Sequence, residues 1–161
     1  MKYRIGQGID FHRFQEGREL FLGGVKINYH LGLEGHSDAD CLIHAIMDAL
    51  LGAVGEDDIG KHFPDTDKNF KDIDSKILLR QVASIVVNKG FNISNIDCTV
   101  ICEEPKIRKY ASEIKLTLSE VLNLSPEDIN IKGTTTEKMG FLGRKEGISC
   151  LAVALIYKTG D

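Results

Sequence analysis

The chain has no C-x-x-C pair, no apolar run long enough to cross a bilayer, no basic stripe interleaved with aromatics, and no internal repeat or low-complexity tract. Each absence removes a class. The scattered cysteines Cys41, Cys98, Cys102 and Cys150 offer neither a zinc-ribbon spacing nor a disulfide framework, and they read as reduced core thiols. A membrane helix needs about 20 consecutive apolar residues, which the sequence does not supply. The opening Met1-Lys2-Tyr3-Arg4-Ile5 lacks a signal-peptide core and already reads as strand, so a cytoplasmic protein is expected. A net charge of −4 argues against nucleic acid as a partner. An acidic chain that takes an anionic substrate needs local compensation from metal ions, backbone N–H groups and a few Lys or Arg side chains.

What remains is an ordinary globular composition. With 161 residues, 42% hydrophobic and 27% charged, the chain fits one domain that buries a core without cross-links. A strand is expected from Tyr3 to Phe14. Leu20-Phe21-Leu22, Gly23-Gly24 and Val25-Lys26-Ile27 read as a hairpin, and the segment from Gly32 to Gly35 as a loop. Ser37 offers an N-cap to a helix over Asp38 to about Val54, with Leu42, Ile43, Ile46, Met47, Leu50 and Leu51 at helical spacing. Residues 55–73 form a long polar connection, a kind of segment that tends to be functional or mobile. Helices are then expected over about Asp74 to Lys89 and from Pro105 to about Leu122, with strands over Ile96 to Cys102, Ile129 to Thr135 and Ile148 to Tyr157. These elements predict a single α/β (α+β) domain over residues 1–161. Its sheet would be mixed and mainly four-stranded, with helices on one face. The last strand is apolar on both sides, so the other face would meet sister subunits around an axis.

The chemistry concentrates first in Asp10-Phe11-His12. Residues two apart on a strand point to the same side, so a carboxylate and an imidazole address one point. His44 on the first helix would complete two nitrogens and one oxygen with a fourth position open, the donor set of catalytic rather than structural zinc. Asp40 and Asp48 lie one turn before and after His44 on one stripe; a polar stripe is most often a solvated face, and it is also how carboxylates orient a ligand from behind.

Three further clusters follow: Gly35-His36-Ser37-Asp38-Ala39-Asp40; Asp58-Ile59-Gly60 through Phe63-Pro64-Asp65-Thr66-Asp67; and Thr134-Thr135-Thr136-Glu137-Lys138-Met139-Gly140-Phe141, with Gly143-Arg144 beyond. Together with Gly8-Ile9-Asp10-Phe11-His12, and in this order across nearly the whole chain, they closely resemble the 2-C-methyl-D-erythritol 2,4-cyclodiphosphate synthases of non-mevalonate isoprenoid biosynthesis. One departure is Asp57, where that family usually has glycine.

The resemblance implies a homotrimeric phosphorus–oxygen lyase with active sites between subunits. Its substrate would be 4-diphosphocytidyl-2-C-methyl-D-erythritol 2-phosphate, whose 2-phosphate attacks the β-phosphorus and expels CMP. Zinc would sit on Asp10, His12 and His44, and a second divalent cation, magnesium or manganese, on Glu137. His36 and Thr135 would stabilise the transition state, flanked by Ser37, Thr134 and Thr136. Asp58 would accept hydroxyls of the methylerythritol unit, in a pocket lined by Ile59, Gly60, Phe63, Pro64, Asp65, Thr66 and Asp67. The cytidine side would be Cys102-Glu103-Glu104-Pro105-Lys106-Ile107-Arg108. Phe141 and Arg144 would face a central cavity able to hold an isoprenoid diphosphate; a core aromatic and a solvated charge explain those two equally well.

Two other readings stay open on the residues alone. A zinc phosphoesterase would use water in place of the internal phosphate. A non-catalytic oligomer would sense isoprenoid diphosphates through Phe141 and Arg144, and would show no turnover.

Overall fold

The structure, a computed structural model, describes residues 1–64, 66, 70 and 72–159. Its frame is a mixed sheet of five strands in the order β4-β1-β7-β5-β6: β1 (Lys2–Gln15), β4 (Gly32–Leu33), β5 (Asn92–Ile101), β6 (Ile129–Thr134) and β7 (Gly147–Lys158). Only β5 and β6 run parallel. The fifth strand, β4, is two residues of the expected loop that pair with Phe14 and Gln15 at the edge. The expected hairpin forms separately as β2 (Leu20–Leu22) and β3 (Val25–Ile27).

Alternation along the strands decides which face is covered. On β7 the buried set is Ile148, Cys150, Ala152, Ala154 and Ile156; on β5 it is Ile96, Cys98 and Val100; on β6 it is Ile129 and Ile131. These form one core with the apolar stripes of α1 (Cys41–Val54), α3 (Ser75–Asn88) and α4 (Ala111–Leu122). A short α2 (Ile59–His62) interrupts the connection expected to be wholly irregular, and α5 (Gly140–Gly143) precedes β7. The opposite sheet face presents Tyr3, Ile5, Ile9, Phe11 and Val153 to solvent.

α1 lies close on β1 because Gly6 and Gly8 have no side chain. A Cβ on Gly6 would stand 1.9 Å from the Ala49 carbonyl oxygen, and one on Gly8 1.9 Å from that of Ala45. Asp10 and His12 continue the same strand face beyond these glycines, which brings them level with the first turns of α1.

Several boundaries differ from expectation for definable reasons. α1 starts at Cys41, and its cap is Asp40, whose side chain accepts the Ile43 N–H; Ser37 instead accepts the Ala39 N–H. A carboxylate with two oxygens can hold that N–H and the hairpin turn together. Pro105 does not open a helix. It follows a cis bond, a 3₁₀ turn spans Ile107–Lys109, and α4 begins only at Ala111.

Candidate active site

The metal-type cluster stands where β1 meets the N-terminal end of α1. Asp10 Oδ2 is 2.9 Å from His12 Nε2 and 3.1 Å from His44 Nδ1, and the two nitrogens are 3.2 Å apart. A tetrahedron with metal–ligand bonds of about 2.0–2.1 Å has edges of about 3.3–3.4 Å. The triangle therefore has the size of one face of a zinc tetrahedron, slightly contracted. Among the described residues this is the cluster whose donors converge in this way.

The rings are held from behind. His12 Nδ1 lies 2.5 Å from the Glu34 carbonyl oxygen. A carbonyl only accepts, so Nδ1 carries a proton and Nε2 is the nitrogen that faces Asp10 and His44. Gly35 leaves room for this ring: a Cβ there would approach His12 Cε1 to 3.2 Å. His44 Nε2 stands 3.3 Å from each of the Ser37 and Ser75 hydroxyls. Burial pushes the Asp10 carboxyl up, but hydrogen bonds and charge from His12 and His44 outweigh it and hold it well below the usual carboxylate range. In His12 burial pulls down, Asp10 pushes up, and the net shift is upward. A carboxylate kept ionised beside two imidazoles suits a divalent cation.

The flanking carboxylates do not orient His44 as the helix stripe implied. Asp40 is fully buried and accepts from the backbone N–H groups of Gly23 (2.9 Å), Gly24 (2.6 Å) and Ile43 (3.0 Å), tying the hairpin turn to α1. Asp48 accepts from Ile59 N–H at 2.8 Å and caps the approach to α2. Ser75, from α3, and Asp38 take the place behind His44. No spacing in the sequence links residues 31 apart on different helices.

The cluster opens on a cavity of about 270 Å³ lined by His36, Ser37, Met47, Ile59, Gly60, Phe63, Phe70 and Leu78 together with the three ligand residues. Its rim is fixed by backbone contacts. Arg18 donates to the carbonyls of Gly35 (2.7 Å) and Ser37 (2.6 Å), and the Asp72 N–H to that of His36 (2.9 Å). Asp58 caps α2 and faces a neighbouring hollow with Asp48, Glu56 and Asp57. Pro64 and Thr66 are exposed; Asp65 and Asp67 lie outside the described residues.

The remaining expected site residues gather elsewhere in the same chain. A second cavity of about 160 Å³ is lined by Cys102, Pro105, Lys106, Ile107, Arg108, Gly133, Thr134 and Thr135. It shares no lining residue with the first. Thr135 Oγ1 donates to Glu137 Oε1 at 3.0 Å, and Glu137 and Lys138 adopt positive φ of 53° and 64°. Glu103 holds that turn: its Oε1 accepts from the N–H groups of Thr136 (3.2 Å) and Lys138 (3.0 Å). Glu104 pairs with Lys145, while Phe141 packs at 6.1 Å from Phe11 and Arg144 pairs with Glu146.

Comparison with known proteins agrees with this geometry. Residues 3–157 match the YgbB family. The 2-C-methyl-D-erythritol 2,4-cyclodiphosphate synthase of Parabacteroides distasonis is 56% identical over the full length of both chains. That of Bacillus subtilis is 54% identical over 97% of this chain and 99% of its own. Among solved structures, the IspF–CDP complex of Plasmodium falciparum superposes with a TM-score of 0.87 at 39% identity, covering 98% of this chain and 97% of that one. The bifunctional IspDF of Campylobacter jejuni gives 0.95 at 42% identity, with 98% of this chain matching 43% of the longer one. With a family match over nearly its whole length and relatives above half identity, the chain belongs to the YgbB family, that of the 2-C-methyl-D-erythritol 2,4-cyclodiphosphate synthases.

Proposed function

We propose that this protein closes the cyclic diphosphate of 2-C-methyl-D-erythritol, taking 4-diphosphocytidyl-2-C-methyl-D-erythritol 2-phosphate and releasing CMP for non-mevalonate isoprenoid synthesis. The observation that carries the reading is the Asp10–His12–His44 triangle opening directly on a cavity rimmed by His36 and Ser37. The donor set and its size fit zinc, which when bound supplies Lewis acidity to a phosphate oxygen. Glu137, an exposed hard oxygen ligand, suits magnesium or manganese on the diphosphate.

The protein's own part is mostly placement. His36 and Ser37 offer donors at the cavity rim, and Thr135 offers a hydroxyl beside Glu137. Such contacts stabilise charge that spreads onto the transferring phosphoryl oxygens. Asp58 accepts substrate hydroxyls, and Ile59, Gly60 and Phe63 line the pocket for the methylerythritol unit. The second cavity, lined by Cys102, Pro105, Lys106, Ile107 and Arg108, takes the cytidine, with Thr134 and Thr135 beside it. A relative with CDP bound supports a cytidine diphosphate ligand.

One substrate must reach both cavities, which share no residue within the chain. A homotrimer with active sites between subunits resolves this, and the exposed apolar sheet face supplies its contact surface. Phe141 and Arg144 would then border the axis, where an isoprenoid diphosphate fits. A cytoplasmic location accords with four free, buried thiols. The test is a product assay with the purified protein, the cytidine diphosphate substrate and magnesium or manganese. CMP release should match the appearance of a cyclic diphosphate by phosphorus NMR; inorganic phosphate or a linear diphosphate overturns the reading.

A further inference from the structure

Behind His44 the structure places a buried serine whose proton is already committed. Ser75 is 0% exposed and comes from the first residue of α3. Its hydroxyl donates to Asp38 Oδ1, and its backbone N–H donates to Asp38 Oδ2 at 2.9 Å. An ionised carboxylate only accepts, so the serine hydrogen is taken and Ser75 Oγ turns a lone pair toward His44 Nε2, 3.3 Å away. The Ser37 hydroxyl, at the same distance, accepts from Ala39 N–H and keeps its own hydrogen, so it can meet Nε2 in either role and does not choose between them.

We propose that Asp38 and Ser75 are positioning residues that favour the metal-ready form of His44: Asp38 holds the Ser75 proton, Ser75 accepts the His44 Nε2–H, and Nδ1 is left to a cation shared with Asp10 and His12. This rests on the reading of Asp10, His12 and His44 as a metal site. The opposite tautomer would put an N–H on Nδ1, pointing at the two other ligands and blocking coordination. The Asp10 carboxylate, 3.1 Å from Nδ1, favours that form while no cation is present, and Ser75 opposes it: to donate to Nε2, Ser75 would have to withdraw its proton from Asp38 and leave a carboxylate oxygen short of a donor. His12 is set in the mirror sense by the Glu34 carbonyl. One imidazole therefore offers Nε2 and the other Nδ1, each by a fixed acceptor at its far nitrogen. Such outer partners typically carry 10–100-fold in metal affinity.

The test uses the whole chain, stripped of metal and titrated with zinc against a chromophoric chelator, with nitrogen-15 imidazole NMR of the zinc-loaded form. In the wild type the His44 ring should carry its proton on Nε2. Ser75→Ala should weaken zinc binding roughly 10–100-fold, and turnover lost with the metal should return in excess zinc. Asp38→Asn keeps the volume and should act in the same direction, which guards against a Ser75→Ala variant that fails to fold. Zinc affinity within threefold of wild type in both variants, or an Nδ1–H tautomer in the wild type, overturns the proposal. If His44→Ala binds zinc as tightly as wild type, the metal-site reading itself fails. Loss in His44→Ala with full binding in the other two overturns the relay alone.

Discussion

The backbone of Gly8 packs so tightly on Ala45 that a Cβ there would lie 1.9 Å from the Ala45 carbonyl oxygen. This contact sets how deep α1 sits on β1, and His44 is the neighbour of Ala45. Gly8→Ala must push the helix outward, costing about 3 kcal/mol or more at the upper end of overpacking. For a domain of this size each kcal/mol lowers the melting temperature by roughly 2–4 °C. Gly52 on the same helix is exposed, and its nearest Cβ neighbour would be Gln7 O at 3.9 Å. Gly52→Ala should therefore stabilise by about 0.5–1 kcal/mol through helix propensity. Thermal unfolding of the two variants should move in opposite directions.

Removing an imidazole from the triangle should remove the metal. His44→Ala leaves one nitrogen and one carboxylate, too few to hold zinc against a chelator. Elemental analysis of the dialysed variant should find well under one zinc per chain and no turnover. A full equivalent of zinc would place the ion elsewhere.

The four thiols should be inert in the folded state. All are buried, and burial pushes Cys98 and Cys102 up to about 12, so almost no thiolate exists at pH 8. A disulfide reagent at pH 8 should titrate none of them in the native protein and all four in urea. Rapid native reaction would mean that the sheet-to-α1 layer opens readily.

The exposed sheet face should be an interface. Tyr3, Ile5, Ile9, Phe11 and Val153 make an apolar patch of the kind that marks association. Sedimentation at micromolar concentration should report a trimer for the wild type. Ile5→Glu, at a position 69% exposed in the single chain, should shift it toward monomer without unfolding it. A monomeric wild type would contradict the proposed assembly.

Cyclisation and hydrolysis leave different isotopic traces. If the internal phosphate is the nucleophile, turnover in ¹⁸O water leaves both CMP and the cyclic diphosphate unlabelled; label in either product means that water attacked phosphorus. Glu137→Gln should weaken the dependence on added magnesium or manganese while zinc stays bound, because Glu137 pairs with Thr135 and does not line the cavity at the triangle. His36→Ala and Thr135→Ala should lower kcat more than they raise KM, since their contacts strengthen as charge develops.

Much of the site was legible because it follows local rules. Asp10 and His12 share a strand face by the two-residue period, and His44 falls on a helix whose apolar spacing is unmistakable. The partners behind His44 were not legible. A helix stripe pointed to Asp40 and Asp48, yet Asp40 spends its oxygens on three backbone N–H groups and Asp48 on a fourth. Buried backbone donors at a turn and a helix start compete for any carboxylate within reach, and their positions depend on how the hairpin docks. Glu103 was likewise read as part of a substrate segment, and its Oε1 turns out to hold the backbone of the Thr136–Lys138 turn.

By itself the sequence determined the long strands, the bodies of the three long helices and the donor types at Asp10, His12 and His44, because periodicity and side-chain chemistry are properties of neighbours along the chain. The tertiary structure alone decided that Gly6 and Gly8 admit α1, that Ser75 comes from α3 to stand behind His44, and that the cavity at His36 and the cavity at Thr135 are separate within one chain. The reason is that period reports which way a residue faces but not what it meets. What it meets depends on close packing between segments far apart in sequence, where a single missing Cβ or one buried carboxylate sets the distance.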